Sequence, residues 1–362
     1  MVSGNSFQPL WASAPGETIA EILHRRRIDI QSFASDLGES EDFAQCLLGG
    51  ACAIDRSVAE RLADVIGGSV TFWLNREAQY REDVARLQGT REQNDAVAWL
   101  RELPVRDMCS FGWITKYDNK VKQAKECLRF FGSSSVSEWR SNAGAVQSVV
   151  AFRTSETFKS SPGAVAAWLR QGEQIASEMH CAKWNPEKFG AVLQDIRKLT
   201  RQKDPVVFLP ALRKLCAECG VAVVILRAPK GCRASGATRF IAKDKAMLLL
   251  SFRYRSDDHF WFTFFHETGH LVLHDCSALF IEGANFITTA EEQEADKFSE
   301  ELLVPPEFEE EMQDLPMEHR RVMRFARKIG ISPGIVVGQL QHAGIFARDK
   351  MNFLKVRFAW VD

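Results

Sequence analysis

The sequence predicts a multidomain, mainly α-helical chain, with an all-α N-terminal domain of helix-turn-helix type and an α+β C-terminal domain. Three observations predict it. From Pro15 to Leu87, oxygen-bearing caps and glycine stops alternate at short intervals. The runs 221–226, 236–241 and 246–252 are apolar and bounded by turn residues. The stretch 259–274 has helical periodicity and no proline. At 362 residues and 46% apolar composition, the chain has room for two or three ordinary domains.

Five helices fill the first domain, residues 1–94. Pro15 and Gly16 open one with Ile19, Ile22 and Leu23 on its inner face. Asp29 caps a second, carrying Phe33, Ala34 and Leu37, and Gly38 stops it. Ser40 caps a third that runs to Leu48, ahead of Gly49 and Gly50. Asp55 caps a fourth with Val58, Leu62 and Ile66, ended by Gly67 and Gly68. Ser69 caps a longer fifth, from Val70 to about Leu87. Each cap offers an oxygen to free backbone N–H groups, and each glycine accepts the left-handed turn that ends a helix.

With Pro15-Gly16-Glu17, Phe72-Trp73-Leu74-Asn75 and Tyr80, residues 15–86 resemble the HigA-like antitoxin type of helix-turn-helix domain in the Xre class. The resemblance implies DNA binding, often as a homodimer on a palindromic operator. Arg25, Arg26 and Arg27 at the end of the first helix and Gln45 on the expected recognition helix are the candidate DNA contacts. Between Glu39 and Gly50, however, there is no Lys or Arg, and Glu41 and Asp42 stand at the helix start. Acids there repel the phosphates that normally supply most of the affinity. The competing reading is a module that binds protein.

Residues 95–203 read as a helical middle region without a catalytic motif. Ser161-Pro162-Gly163 opens a helix to Met179, and Asn185-Pro186 opens another through Leu199. The segments 132–136 and 159–163 are loop-like joints. In residues 204–362 a helix ending at Gly220 leads into the three strands, the last two joined by Ala242-Lys243-Asp244-Lys245.

The helix after the strands carries His266-Glu267-Thr268-Gly269-His270. Histidines four apart project from one helix face, so both imidazoles reach one metal ion. Glu267 then lies beside the metal, placed to take a proton from an activated water. The aromatic run Phe260, Trp261, Phe262, Phe264 and Phe265 reads as core, and Ser256 and Asp257 as caps. A catalytic zinc site needs a third protein ligand. Glu292 suits best, in an acidic helix running to Leu303, with Glu291 and Glu294 as alternatives. Asp296, one turn on, is placed to hold a histidine ring. His274 is not expected as a ligand, since it lies two turns from His266.

The motif 266–270, residues 271–274, Glu292-x-x-Ala295-Asp296-x-Phe298 and Leu302-Leu303-Val304-Pro305 together resemble the ImmA/IrrE family of metallopeptidases, from about Pro205 to the mid-300s. The resemblance implies a zincin-like fold and a zinc endopeptidase with Glu292 as third ligand. It also implies a protein substrate, a helix-turn-helix repressor or antitoxin-type protein cleaved in stress, phage or mobile-element response. The donor set also accommodates Mn2+ or Fe2+. Tyr254 and Arg239 are candidate oxyanion donors, and the strand 246–252 is expected to pair with an extended substrate. The alternative is a DNA-binding regulator or antitoxin whose peptidase fold serves as sensor or docking unit.

A net charge of -1 gives no whole-chain pull toward nucleic acid or membrane, although bases dominate from His319 to the end. The helices read at 321–329 and 333–341, joined by Gly330-Ile331-Ser332, are expected to complete the core through Val322, Phe325, Ile335, Val336 and Leu340. The competing reading is a nucleic-acid contact through Arg320, Arg321 and Arg324. Nine scattered cysteines, without a signal-peptide pattern at the start, predict reduced thiols and a cytoplasmic location. Cys216 and Cys219 are expected to be structural, since no second pair accompanies them.

Overall fold

In the computed structural model, which describes residues 9–142, 161–274, 280–282 and 290–359, four of the five N-terminal helices start on the caps the sequence predicts. These helices are α1 (Pro15–Arg26), α2 (Ile30–Leu37), α3 (Glu41–Leu48), α4 (Arg56–Ile66) and α5 (Val70–Trp99). Asp29 accepts from the N–H of Ser32 at 2.8 Å, and Ser40 from that of Phe43 at 3.2 Å. Asp55 accepts from the N–H of Val58 at 2.8 Å, and Ser69 from that of Phe72 at 3.0 Å. α1 instead ends on Arg27 in the left-handed region, with φ of 58°. α5 continues past Leu87 to Trp99, where Gln88, Arg91, Glu92, Gln93, Ala96 and Ala98 are good helix formers and one glycine, Gly89, does not stop it.

Gly16 permits a close approach within this bundle. A Cβ there would sit 2.0 Å from the carbonyl oxygen of Leu48, so the start of α1 meets the end of α3 only with glycine. Ile19, Phe33, Leu37, Leu47, Leu62, Ile66 and Trp73 close the core around it. Cys46 and Cys52 form a disulfide, with their Cα atoms 5.4 Å apart, which corrects the expectation that every thiol is reduced. The turn at Gly49 and Gly50 folds the chain back onto α3, a proximity that cysteine counting does not reveal.

The chain divides into two units, 1–97 and 98–362. The second holds α6 (Val105–Ser110), α7 (Lys120–Phe131), α8 (Pro162–Glu178), α9 (Pro186–Leu199) and α10 (Pro205–Ala217). Then follow β1 (Val221–Ile225), β2 (Gly236–Ala242), β3 (Lys245–Leu250), α11 (Asp257–Leu273) and β4 (Phe280–Glu282). It ends with α12 (Ala290–Leu303), α13 (Glu309–Gln313), α14 (His319–Ile329) and α15 (Pro333–His342). Of the expected joint 159–163, Lys159 and Ser160 lie outside the described residues.

The strands lie in the order β1-β3-β2-β4, with β1 parallel to β3 and the other pairs antiparallel. Alternation then decides what each face meets. Val221, Val223, Ala246, Leu248 and Leu250 face the core built with α9, α10, α11, α14 and α15. Ala222, Val224, Ala237, Met247 and Leu249 face Ala164, Val165, Trp168 and Leu169 of α8. A Cβ on Gly172 of α8 would come 2.6 Å from Leu249, so this helix lies tight on the sheet. The packing therefore runs across residue 203, and α8 belongs to the same unit as the strands.

One expectation fails on this topology. β3 lies between β1 and β2, so both its backbone edges are already bonded and it has none to offer an extended substrate. At the other end of the unit, Val322, Phe325, Ile335, Val336 and Leu340 are buried and complete the core. Arg320, Arg321, Arg324 and Arg327 face solvent. Among the described residues, no helix is long and apolar enough to cross a membrane.

Candidate metal centre

α11 is buried along most of its length, apolar and polar residues alike, as a helix packed on several sides must be. Phe260, Trp261, Phe264 and Phe265 are buried, and so are the polar residues that follow them. Its start is fixed by the C-terminal segment. The N–H of Asp257 donates to the carbonyl of Val356 at 3.0 Å, and the Asp257 carboxylate accepts from the N–H of Val356 at 2.9 Å and from Ser332 Oγ. Asp258 pairs with Lys355 Nζ at 2.6 Å, both side chains being 7% exposed. The expected caps therefore act differently. Ser256 takes the N-cap position without a side-chain bond to a backbone N–H of the helix, and the Asp257 carboxylate holds the C-terminal strap instead.

α12 crosses α11 where both are small. A Cβ on Gly269 would lie 3.1 Å from Ala295 Cα, so the two backbones approach closely at that point. Ser299 Oγ donates to the carbonyl of Phe262 at 3.1 Å, a second tie between the helices. The end of α12 is held by Arg197, buried on α9, whose Nε and Nη2 donate to the carbonyl of Leu303 at 3.2 and 2.8 Å. This close crossing brings Glu292, less than one turn before Ala295, over the histidines.

The resulting cluster is compact. His266 Nε2 lies 3.1 Å from His270 Nε2 and 3.3 Å from Glu292 Oε2, and His270 Nε2 lies 3.6 Å from Glu292 Oε1. A tetrahedral zinc site with bonds of ~2.0–2.1 Å has edges of about 3.4 Å between ligand atoms. Two nitrogens and a carboxylate at these separations fit that ion. Among the described residues, this trio is the one group whose donor atoms converge in this way, and all three members are buried. Burial lowers the His270 pKa against the opposing pull of Glu292, which favours a neutral ring with a lone pair to donate. Burial alone would raise the Glu292 carboxyl; the His266 and His270 rings beside it outweigh that and hold it well below the usual carboxylate range.

Glu267 is fully buried beside the trio rather than within it, lying against Gly236 of β2 and Thr263. A Cβ on Gly236 would be 2.6 Å from Glu267 Oε1, so the glycine leaves the room this carboxylate occupies. Asp296 Oδ1 meets His266 Nδ1 at 2.8 Å, the ring-holding position read from the sequence. Glu291 is exposed and Glu294 is 62% exposed, so neither faces the two Nε2 atoms.

Other predicted residues are not brought here. Arg239 alternates to the opposite face of β2, where it pairs with Glu173 of α8 at 2.7 Å, which removes it as an oxyanion donor. Tyr254 is 47% exposed and stacks on His259, two helical turns before His266. In the N-terminal unit Arg25, Arg26, Arg27 and Gln45 are exposed, and Arg25 pairs with Glu21. Cys216 and Cys219 are buried, and burial pushes both thiols up, away from the thiolate form that metal binding needs. Sequence reasoning missed Gly236, since its role depends on a strand meeting a helix some thirty residues away.

No curated protein matches the chain by sequence. Residues 220–340, which run from β1 through α15 and contain the whole His266–His270–Glu292 cluster, match the IrrE N-terminal-like domain family.

Proposed function

We propose that the C-terminal unit is a zinc-dependent endopeptidase. The observation that carries this reading is the buried convergence of His266, His270 and Glu292, with the Glu267 carboxylate alongside. The three ligands would hold zinc, which when bound supplies Lewis-acid polarisation of a peptide carbonyl and of the attacking water. Glu267 takes the proton from that water and delivers it to the leaving amine nitrogen. Gly236 and Thr263 confine the carboxylate. Asp296 orients the His266 ring. The substrate class is a helix-turn-helix repressor or antitoxin-type protein, by resemblance to ImmA/IrrE peptidases, and the N-terminal unit is a HigA-like module that recruits it or an operator. The test incubates the full chain, loaded with zinc, with helix-turn-helix repressors encoded near its own gene. Cleavage should occur, stop on chelation, and be absent in Glu267→Gln while zinc is retained. Cleavage by the Glu267→Gln protein ends the assignment.

A second reading, a DNA-binding regulator, is supported by one feature: two short helices, α2 and α3, follow each other across a turn at Gly38, with Gln45 exposed on the second. It predicts salt-sensitive operator binding that Glu267→Gln leaves unchanged. The acidic start of α3 opposes it.

A further inference from the structure

Asp296 is not the sole group behind the two histidines. On the far side of His270, its Nδ1 lies 3.0 Å from Nδ1 of His274, and Nε2 of His274 lies 3.0 Å from Oε2 of Glu294. His274 is one turn beyond His270 on the same face, and its side chain is only 7% exposed although it stands at the helix end. Glu294 is on α12, two residues from Glu292, and reaches outward to meet it.

The protons in this chain run in one direction when read from its outer end. The Glu294 carboxylate accepts, so His274 donates through Nε2–H. A neutral His274 then presents a lone pair at Nδ1 and accepts from His270 Nδ1–H. That leaves the lone pair of His270 on Nε2, the atom 3.1 Å from His266 Nε2. On the other ligand, the Asp296 carboxylate accepts from His266 Nδ1–H and leaves that lone pair on Nε2 as well. Two separate wires thus end in the same result. One is a direct carboxylate; the other is a carboxylate acting through an added imidazole.

We infer that His274 and Glu294 are positioning residues that hold His270 in its metal-binding tautomer and ring orientation. The inference rests on the metal-site reading above. It gives a role to a histidine that helix geometry excludes as a ligand, and to an acid that loses the ligand position to Glu292. Because the two groups act in series, removing either should have about the same effect. Because Asp296 acts on the other histidine, its loss should add to theirs.

The experiment measures zinc affinity of the full chain by competition with a chelating dye. His274→Ala and Glu294→Ala should each weaken binding about 10-fold, within the 10–100-fold range for groups that orient metal ligands. The double variant should be no weaker than His274→Ala, and His274→Ala with Asp296→Ala should multiply the two losses. Glu294→Gln keeps an acceptor for His274 Nε2–H and should bind nearer to wild type than Glu294→Ala. Nitrogen-15 spectra of the metal-free protein give a readout that a purely structural role would not move. His270 should show Nδ1–H and a bare Nε2 in wild type, and a mixture of tautomers in His274→Ala. Zinc binding by His274→Ala at wild-type affinity, or Nε2–H on His270 in wild type, overturns the inference while leaving the metal site intact. Failure of the wild type itself to bind zinc sinks the metal-site reading instead.

Discussion

Adding one methyl group at Gly236 tests how the Glu267 carboxylate is held. The new Cβ would lie 2.6 Å from Glu267 Oε1, 2.7 Å from its Cγ and 2.7 Å from Thr263 Cγ2. Relaxation is restricted on both sides. β2 is bonded to β3 and β4, with Gly236 opposite Leu250 and Glu282, and α11 is buried along most of its length. Overpacking of this kind costs about 1–3 kcal/mol, so Gly236→Ala should lower the unfolding free energy by about 2 kcal/mol. Glu267→Ala removes two of the three close atoms, leaving the contact with Thr263. In the Glu267→Ala background the same methyl should therefore cost less than half as much, a coupling of about 1 kcal/mol or more. Urea unfolding of wild type, both single variants and the double variant gives the cycle. Zinc content should stay near wild type throughout, because neither position supplies one of the three ligand groups. Additive effects, or a Gly236→Ala protein as stable as wild type, would refute the claim that this glycine makes room for the carboxylate.

Three other perturbations follow from the packing. Gly269→Val should force α11 and α12 apart, since even a Cβ on Gly269 would lie 3.1 Å from Ala295 Cα, and zinc affinity measured by chelator competition should fall at least about 10-fold. Lys355→Met leaves Asp258 buried beside an uncharged side chain and should cost about 3 kcal/mol in thermal or urea unfolding, most of it restored by Asp258→Leu in the same chain. Asp257 has its pKa raised from 3.8 to about 6, chiefly by burial. Its contribution to stability is therefore full below about pH 4 and is lost as pH rises through 6. Between those limits the wild type should lose about 2–3 kcal/mol relative to Asp257→Asn, read from unfolding curves at a series of pH values.

The parts of this molecule that were legible in the sequence are those fixed by local chemistry. The caps Asp29, Ser40, Asp55 and Ser69 are bonded as their spacing suggests, because a cap needs only the three residues after it. His266 and His270 share a helix face because four residues make about one turn. Glu292 follows from the same logic, since it is the acid whose helix face also presents Ala295, Asp296 and Ser299. What was illegible depends on pairing between distant segments. The position of β3 inside the sheet decides that it has no free edge, and nothing in residues 246–252 declares it. Arg239 was misread as a site residue because strand alternation is visible in the sequence, but which face meets α11 is not. The strap formed by Ser332, Lys355 and Val356 on Asp257 and Asp258 spans about a hundred residues, and a local cap looked sufficient for the same acids.

The central claim is that His266, His270 and Glu292 together hold one divalent ion. Crystals of the full chain grown with zinc, with diffraction recorded on both sides of the zinc absorption edge, test it most directly. One anomalous peak should appear ~2.0–2.1 Å from His266 Nε2, His270 Nε2 and a Glu292 oxygen. A zinc-saturated crystal with no peak among these three side chains, or with its peak on other ligands, would contradict the account.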